Sequence, residues 1–386
     1  MSMFIVQIGS YPLSSAVIRG GVEASVYGLS QELGKSNDVH VFDNPRKGGV
    51  TSVDKDGNVT MHRAENPGKW QVAAIRQVKK MAQEVALLHP DVCHIHSTNL
   101  FSWLMYKRLK KEGLPCVVTV HGLALVEKRN ALKKKISIKS LSQYVYQGWV
   151  EKQFLKRLPF VIVDTEYVRE KINRYPIRKK PMMHVIPQGI SEDYFSLHCS
   201  PDSHIILSVG AIGPRKGHLL TLRAFERLRE EGVETCLVIA GTVADQAYLE
   251  QFKSVLANSR YKDDVRLYTN LPNEELKQLY KEAHVFALHS EEESQGIVFA
   301  EAMAAGLPIV ATRVGGIPCV VRHERNGLLA DYGDVKTFSG AMERLMTDEN
   351  KWQAMSEASK QMAQDYHWSA ISDKVLQLYH TLAEIN

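Results

Sequence analysis

Short apolar strands alternate with amphipathic helices along this chain, and the pattern stops near residue 190 and starts again. The first run reads as strand Met3–Gly9, a helix ending at Leu33, strands Val39–Asp43 and Val59–His62, helix Gln71–Leu88, strand Asp91–His96, helix Leu100–Lys111 and strand Cys116–Val120. Phe160–Asp164 and His184–Ile186 add two strands before Pro187-Gln188-Gly189-Ile190, which reads as a linker. The second run begins with strand His204–Gly210 and helix Gly217–Glu230 and continues through strands Thr235–Gly241, Val265–Tyr268, Val285–Leu288 and Ile309–Ala311. A turn at Asn326-Gly327 follows, and the chain is mainly helical from Asp334. Strands separated by helices must run parallel with both faces covered. Two doubly wound α/β domains are therefore expected, with ligands at the carboxyl ends of the strands, where Gly9, His96 and His121 stand, and in the cleft the domains face.

Length agrees with this, since 386 residues exceed one ordinary core. An apolar fraction of 44% with 24% charged residues argues against disorder. The five cysteines are scattered without a CxxC pair, as small buried hydrophobes in a reducing cytoplasm would be. Met3–Ile8 has no basic residues before it and reads as a first strand, not a leader. No apolar run approaches the ~18 residues of a membrane span. Charge divides unevenly: residues 1–190 hold 29 Lys and Arg against 15 Asp and Glu, and the remainder hold 19 against 28. The basic half is suited to an anionic partner or surface.

The stretch from His289 to Gly306 poses the sharpest chemical question. An acidic loop reaches Gly296, which opens an alanine-rich helix, and that helix carries one carboxylate, Glu301, among Phe299, Ala300, Ala302 and Met303. A buried carboxylate without a partner would cost several kcal/mol, so Glu301 must meet solvent, a partner or a ligand. Glu293 precedes the helix and can reach a ligand lying over its first turn. There the backbone amides of Gly296, Ile297 and Val298 lack helical partners and favour an anion. A carboxylate accepts two hydrogen bonds at once, which suits neighbouring hydroxyls on a ribose or sugar ring.

Glu293 and Glu301, with Gly306, Pro308 and Gly315-Gly316, closely resemble the E-x7-E signature of the family 4 retaining glycosyltransferases of the GT-B fold. The resemblance extends through Gly20-Gly21-Val22-Glu23, Thr119-Val120-His121-Gly122, the linker at Pro187–Ile190 and Val209-Gly210 through Lys216-Gly217. It implies an acceptor-binding domain over residues 1–188, onto which a carboxyl-terminal helix of about residues 368–386 packs back, and a nucleotide-sugar-binding domain over 189–367. It implies that Glu301 holds the ribose, that Glu293 faces the donor sugar with Gly296, Ile297 and Val298 nearby, and that Lys216 binds the diphosphate. His121 is then the histidine facing the donor sugar, and Gly20 and Gly21 form the loop near phosphates and acceptor. The implied catalytic set is His121, Glu293 and Lys216. The expected activity is transfer of a hexosyl group from a nucleoside diphosphate sugar to a saccharide or polyprenyl-linked glycan in bacterial surface polysaccharide or glycoconjugate synthesis. Rival readings are a non-catalytic nucleotide-binding scaffold subunit and a nucleotide-sugar epimerase of the same fold.

One position departs from the family pattern: Ala211 stands where an arginine is common, with Arg215 the nearest substitute. Gln188 stands where asparagine is usual. There is no Walker A sequence, and Gly210-Ala-Ile-Gly213 lacks the spacing of a dinucleotide fingerprint. Asp54-Lys-Asp56 reads as a turn before Gly57, not as a metal motif. No cluster has metal-ligand spacing, so neither a metal nor another cofactor is expected. His94 and His96 read as structural. Residues 101–157 hold 13 Lys and Arg against three acids, and Ile138, Leu141, Val145 and Trp149 share a helical stripe. Residues 128–157 can therefore lie on an anionic membrane surface at the inner face of the cell membrane, or pack that stripe on the domain's own sheet. Aromatic stacking platforms are not interleaved with the charges elsewhere, which argues against nucleic acid.

Overall fold

A computed structural model describes residues 2–13, 18, 20–44, 46–47, 51–66, 70–126, 138–199 and 204–385. It divides into two compact units: Met1–Pro12, Val22–Gly189 and Trp368–Asn386 form the first, and Leu13–Gly21 with Ile190–His367 the second.

The first unit is built on β1 (Phe4–Gly9), β2 (Asp38–Asp43), β4 (Ser52–Asp56), β5 (Val59–Arg63), β7 (Val92–His96), β8 (Cys116–Val120), β9 (Phe160–Val163) and β10 (Met182–Val185). β3 (Arg46–Lys47) and β6 (Glu65–Asn66) make a small separate pair. The sheet order is β10-β9-β8-β7-β1-β2-β5-β4, parallel except for the β4–β5 hairpin. Alternate residues of a strand face opposite sides, so Val6 and Ile8 enter one core while Ile5 enters the other. The first core is covered by helices that include Leu100–Lys111 and Ile138–Leu155. The second is closed by Gly21–Leu33 and by Trp368–Ile385, which inserts Trp368, Ile371, Val375, Leu378, Tyr379 and Leu382.

The second unit has β11 (Ile205–Val209), β12 (Cys236–Gly241), β13 (Val265–Thr269), β14 (Val285–Leu288), β15 (Ile309–Thr312) and β16 (Gly327–Ala330), in the all-parallel order β13-β12-β11-β14-β15-β16. In both sheets the winding reverses beside the first strand, between β1 and β7 and between β11 and β14. A doubly wound sheet opens a crevice at such a switch point.

Two local expectations need correction. Asp54–Asp56 lies within β4, and the turn falls one step later, at Gly57-Asn58. β4 pairs only with β5 and is largely exposed, so it lacks the apolar alternation of a half-buried strand. Gly327 is likewise more than a turn residue, because it opens β16, whose Leu328 and Leu329 are buried at the other sheet's edge. Among the described residues no helix is long and apolar enough to cross a membrane.

Candidate active site

In the second unit the switch point lies between the loop after β11 and the loop after β14, and these loops bring together Lys216 and Glu293. Lys216 sits in a short 3-10 turn, Pro214–Lys216. Its Nζ donates to Glu293 Oε1, and Ser290 Oγ donates to the same oxygen at 3.1 Å. Arg215, half exposed, approaches Glu293 Oε2 at 3.8 Å. Lys216 and Glu293 are both buried. Burial alone would raise the Glu293 carboxyl; the fields of Lys216 and Arg215 and the hydrogen bonds from Lys216 and Ser290 outweigh it and hold the group below the ordinary carboxylate range.

Two glycines let these loops approach. Gly217 (φ 64°) passes so close to the His289 carbonyl that a Cβ would collide with it, and Gly315 (φ 55°) does the same at the Glu293 carbonyl. Both positions combine a left-handed backbone with backbone contact, which only glycine accepts without strain. Gly316 N–H then donates to the Glu293 carbonyl at 2.8 Å. Gly296 (φ 77°) caps the helix Ile297–Ala304, so Ile297 and Val298 present first-turn amides beside the Glu293 loop.

Glu301 lies one helix turn further on, half-buried, with Tyr280 donating to Oε2 at 2.8 Å. Burial pushes its carboxyl up to about 7, against the opposing pull of the Tyr280 hydroxyl and of Lys216. Among the described residues the carboxyl thus has Tyr280 as its side-chain donor, and its ionised form is set to gain stabilisation from further hydroxyls.

His121 belongs to the first unit, just past β8. Its Nε2 lies 3.0 Å from His96 Nδ1 and its Nδ1 lies 3.3 Å from Asp164 Oδ2, so both ring nitrogens are engaged. His94 sits between the Tyr379 hydroxyl and Thr119 Oγ1, each at 2.6 Å, and burial drives its ring down to about 3. Gly20 is an exposed bend and Gly21 opens helix Gly21–Leu33; a Cβ at Gly20 would meet nothing, so packing gives no reason for glycine there. Among the described residues no group of three or more His, Cys, Asp or Glu converges as metal ligands would.

The helix Ile138–Leu155 bears on one of the two readings of its stripe, at Leu141, Val145 and Trp149; the Ile138 side chain lies outside the described residues. Glu151 turns inward, where Tyr175, Thr98 and the amides of Ala124 and Leu125 donate to it. Leu141, Val145 and Trp149 therefore face outward and are exposed at 49%, 61% and 51%. Packing of those residues on the sheet is excluded. Lys133-Lys134-Lys135 and the rest of 127–137 lie outside the described residues.

Two parallel, doubly wound units define the GT-B class, which solved structures match along nearly the whole chain. Sucrose-phosphate synthase of Thermosynechococcus elongatus aligns with TM-score 0.82 at 20% identity, covering 99% of this chain and 100% of that one. The Anabaena protein HepE, solved with UDP-glucose, aligns with TM-score 0.76 at 16% identity, covering 98% and 100%. Residues 19–194 match the family described as Glycosyltransferase Family 4, and residues 191–362 match Glycosyl transferases group 1. A D-inositol 3-phosphate glycosyltransferase of Corynebacterium jeikeium is 30% identical over 312 residues, 76% of this chain and 72% of its own. One from Segniliparus rotundus is 25% identical over 297 residues, spanning 74% of this chain and 64% of its own. The chain belongs to the family 4 glycosyltransferases.

The residues singled out in the sequence fall into separate groups. Arg215, Lys216, Glu293 and the Gly296 helix start form one cluster, with Glu301 on the same helix beside Tyr280; His121 lies with the strand ends of the first unit. Sequence reasoning missed Tyr280, Ser290 and Asp164, and read His96 as structural, where it is buried and bonded to Gln7 and His121. His96 and Asp164 carried a usable signal, since each stands at or just past the carboxyl end of a parallel strand, next to the strand that ends before His121.

Proposed function

We propose that this glycosyltransferase moves a hexosyl group, with retention and without a metal, from a nucleoside diphosphate sugar to a saccharide or lipid-linked glycan acceptor in the synthesis of a surface polysaccharide or glycoconjugate. The observation that carries this reading is the buried Lys216–Glu293 pair at the switch point beside a helix N-terminus. Each partner offers half of what a sugar diphosphate needs. Lys216 supplies a cation for charge that grows on the leaving diphosphate, the first-turn amides supply further donors, and Glu293 accepts from sugar hydroxyls. Glu301 accepts from the ribose. No side chain is assigned as a covalent nucleophile, so attack on the face of the departing phosphate gives retention, with His121 and Glu293 positioning the sugar. The UDP-glucose bound by HepE supports uridine diphosphate sugars as the first donors to try.

The experiment is a panel of nucleotide sugars and saccharide or lipid-linked acceptors, read by nucleotide release and by the anomeric configuration of the product. An α-linked product from an α-donor, undiminished by chelator and lost in Glu293→Ala and Lys216→Ala, is expected. A β-linked product, chelator-sensitive turnover or an isomerised donor without an acceptor would overturn the assignment.

Peripheral attachment to an anionic membrane belongs to the same proposal. The exposed stripe Leu141, Val145 and Trp149 has Lys152, Lys156 and Arg157 on and beyond its helix, with Lys107, Lys110 and Lys111 on the neighbouring helix. Apolar side chains flanked by lysines match an anionic bilayer in both respects. Liposomes containing anionic lipid should float the wild type and leave a Leu141→Ser/Val145→Ser/Trp149→Ser variant behind; equal flotation of the two would remove the surface from the proposal.

A further inference from the structure

Five side chains form an unbroken line inside the first unit. Gln7 Oε1 lies 3.0 Å from His96 Nε2, His96 Nδ1 lies 3.0 Å from His121 Nε2, and His121 Nδ1 lies 3.3 Å from Asp164 Oδ2. Gln188 Nε2 donates to the same Asp164 oxygen at 2.6 Å. The line runs from the first strand to the peptide that leaves this unit, and Gln7, His96, Asp164 and Gln188 are all buried. Gln7 and Asp164 each join the line through one atom, and the other polar atom of each, Gln7 Nε2 and Asp164 Oδ1, has no hydrogen-bond partner among the described residues.

Proton counting along the line leaves two arrangements. His96 is stacked on His94 at 4.1 Å and is kept neutral, since burial, His94 and His121 all depress its ring. One of its nitrogens therefore carries a proton and the other accepts. With the Gln7 oxygen against Nε2, His96 can only accept at Nδ1, so His121 must donate from both nitrogens and is an imidazolium. A half-turn of the Gln7 amide reverses the direction: the amide donates to His96, His96 donates to His121, and His121 donates only to Asp164. The half-turn also gives the stranded Gln7 NH2 a partner, and an orphaned buried donor is the costlier of the two defects.

We propose that Gln7 and His96 are positioning residues for His121, donating along the line so that His121 stands as the neutral tautomer with its proton on Nδ1, held by Asp164 and, through that carboxylate, by Gln188. The titratable groups facing the line are His94, with Tyr379 behind it, and Asp164. For catalysis the consequence rests on the proposed function, in which His121 meets the donor sugar: a ring fixed in one tautomer and one orientation presents the same face at every turnover.

The test is nitrogen NMR of the ligand-free protein with 15N-labelled histidine at neutral pH, the His121 signals assigned by their absence in His121→Ala, in parallel with transfer kinetics. The wild type should show one protonated and one bare nitrogen, with the proton on Nδ1. Gln7→Glu can only accept from His96, so it should reverse the line and give a doubly protonated His121, with kcat lowered about ten- to a hundredfold, the size of one buried hydrogen bond to a charged group, and KM for the donor little changed. Gln7→Leu, which buries no charge, should yield a mixture of tautomers and serves if the glutamate variant does not fold. A wild-type His121 that is an imidazolium or carries its proton on Nε2, or variants whose spectra match the wild type, would overturn the inference. Altered spectra with unchanged kcat would leave it standing and instead remove His121 from the proposed transfer site.

Discussion

Glu301 shows how a single group can report on ligand chemistry. Its carboxyl is pushed up to about 7, above the unfolded value, so the folded protein holds a proton there that the unfolded chain releases. Stability from this group is therefore greatest at low pH and falls as pH rises through about 7. In the proposed complex, ribose hydroxyls donating to Glu301 would favour the ionised form, so nucleotide-sugar binding would run the other way. Affinity should drop by up to roughly tenfold between about pH 8 and about pH 6, and Glu301→Gln should bind more weakly at the upper pH with a flat profile. Calorimetry with an intact nucleotide sugar is the check, because its diphosphate does not titrate in that window; an unchanged slope in the glutamine variant would take Glu301 out of the ribose contact. The sequence showed that Glu301 needed a partner but not which one. Tyr280 lies 21 residues away on another helix, and only packing brings its hydroxyl to the carboxylate.

Elements were legible where their apolar faces were complete. The helix Gln71–Leu88 expected from spacing is Trp70–Leu88, and the strand read as Cys116–Val120 has those bounds. Edge strand β4 escaped because an exposed strand with one neighbour needs few apolar residues to hold it, and β16 because Gly327–Ala330 is too short to show a period. The helix Trp368–Ile385 is the opposite case. Trp368 lies against Gly28 and Gly189 so closely that a Cβ on either glycine would strike its ring. Trp368→Ala should thus open a cavity under both and cost about 3–5 kcal/mol, read as a lowered urea midpoint with unchanged slope. A loss below about 1 kcal/mol would mean that the helix contributes little to this core.

At the scale of the whole molecule, the first unit holds a core on each face of its sheet and the second a large core of its own, and the residues proposed to hold the donor, Lys216, Glu293 and Glu301, all belong to the second. A nucleotide should accordingly slow hydrogen exchange in the loops after β11 and β14, with stabilisation near 2.7 kcal/mol at about a hundred times Kd. Protection confined to residues 2–189 would contradict the placement of the donor. The two-unit plan was readable because strand–helix alternation restarts after residue 190. The buried line through His96, Asp164 and Gln188 was not, since its contacts join residues up to 89 positions apart and no local spacing encodes them.

The long segment of the second unit enters at Ile190 and leaves at His367, and those two residues are bridged, with Ile190 N–H bonded to the Tyr366 carbonyl at 2.9 Å. Entry and exit therefore sit side by side, as at the neck of an inserted cassette. A piece of polypeptide with adjoining ends can be exchanged without stretching its host, so recombination at these two points would carry the proposed donor site of Lys216, Glu293 and Glu301 across as one block.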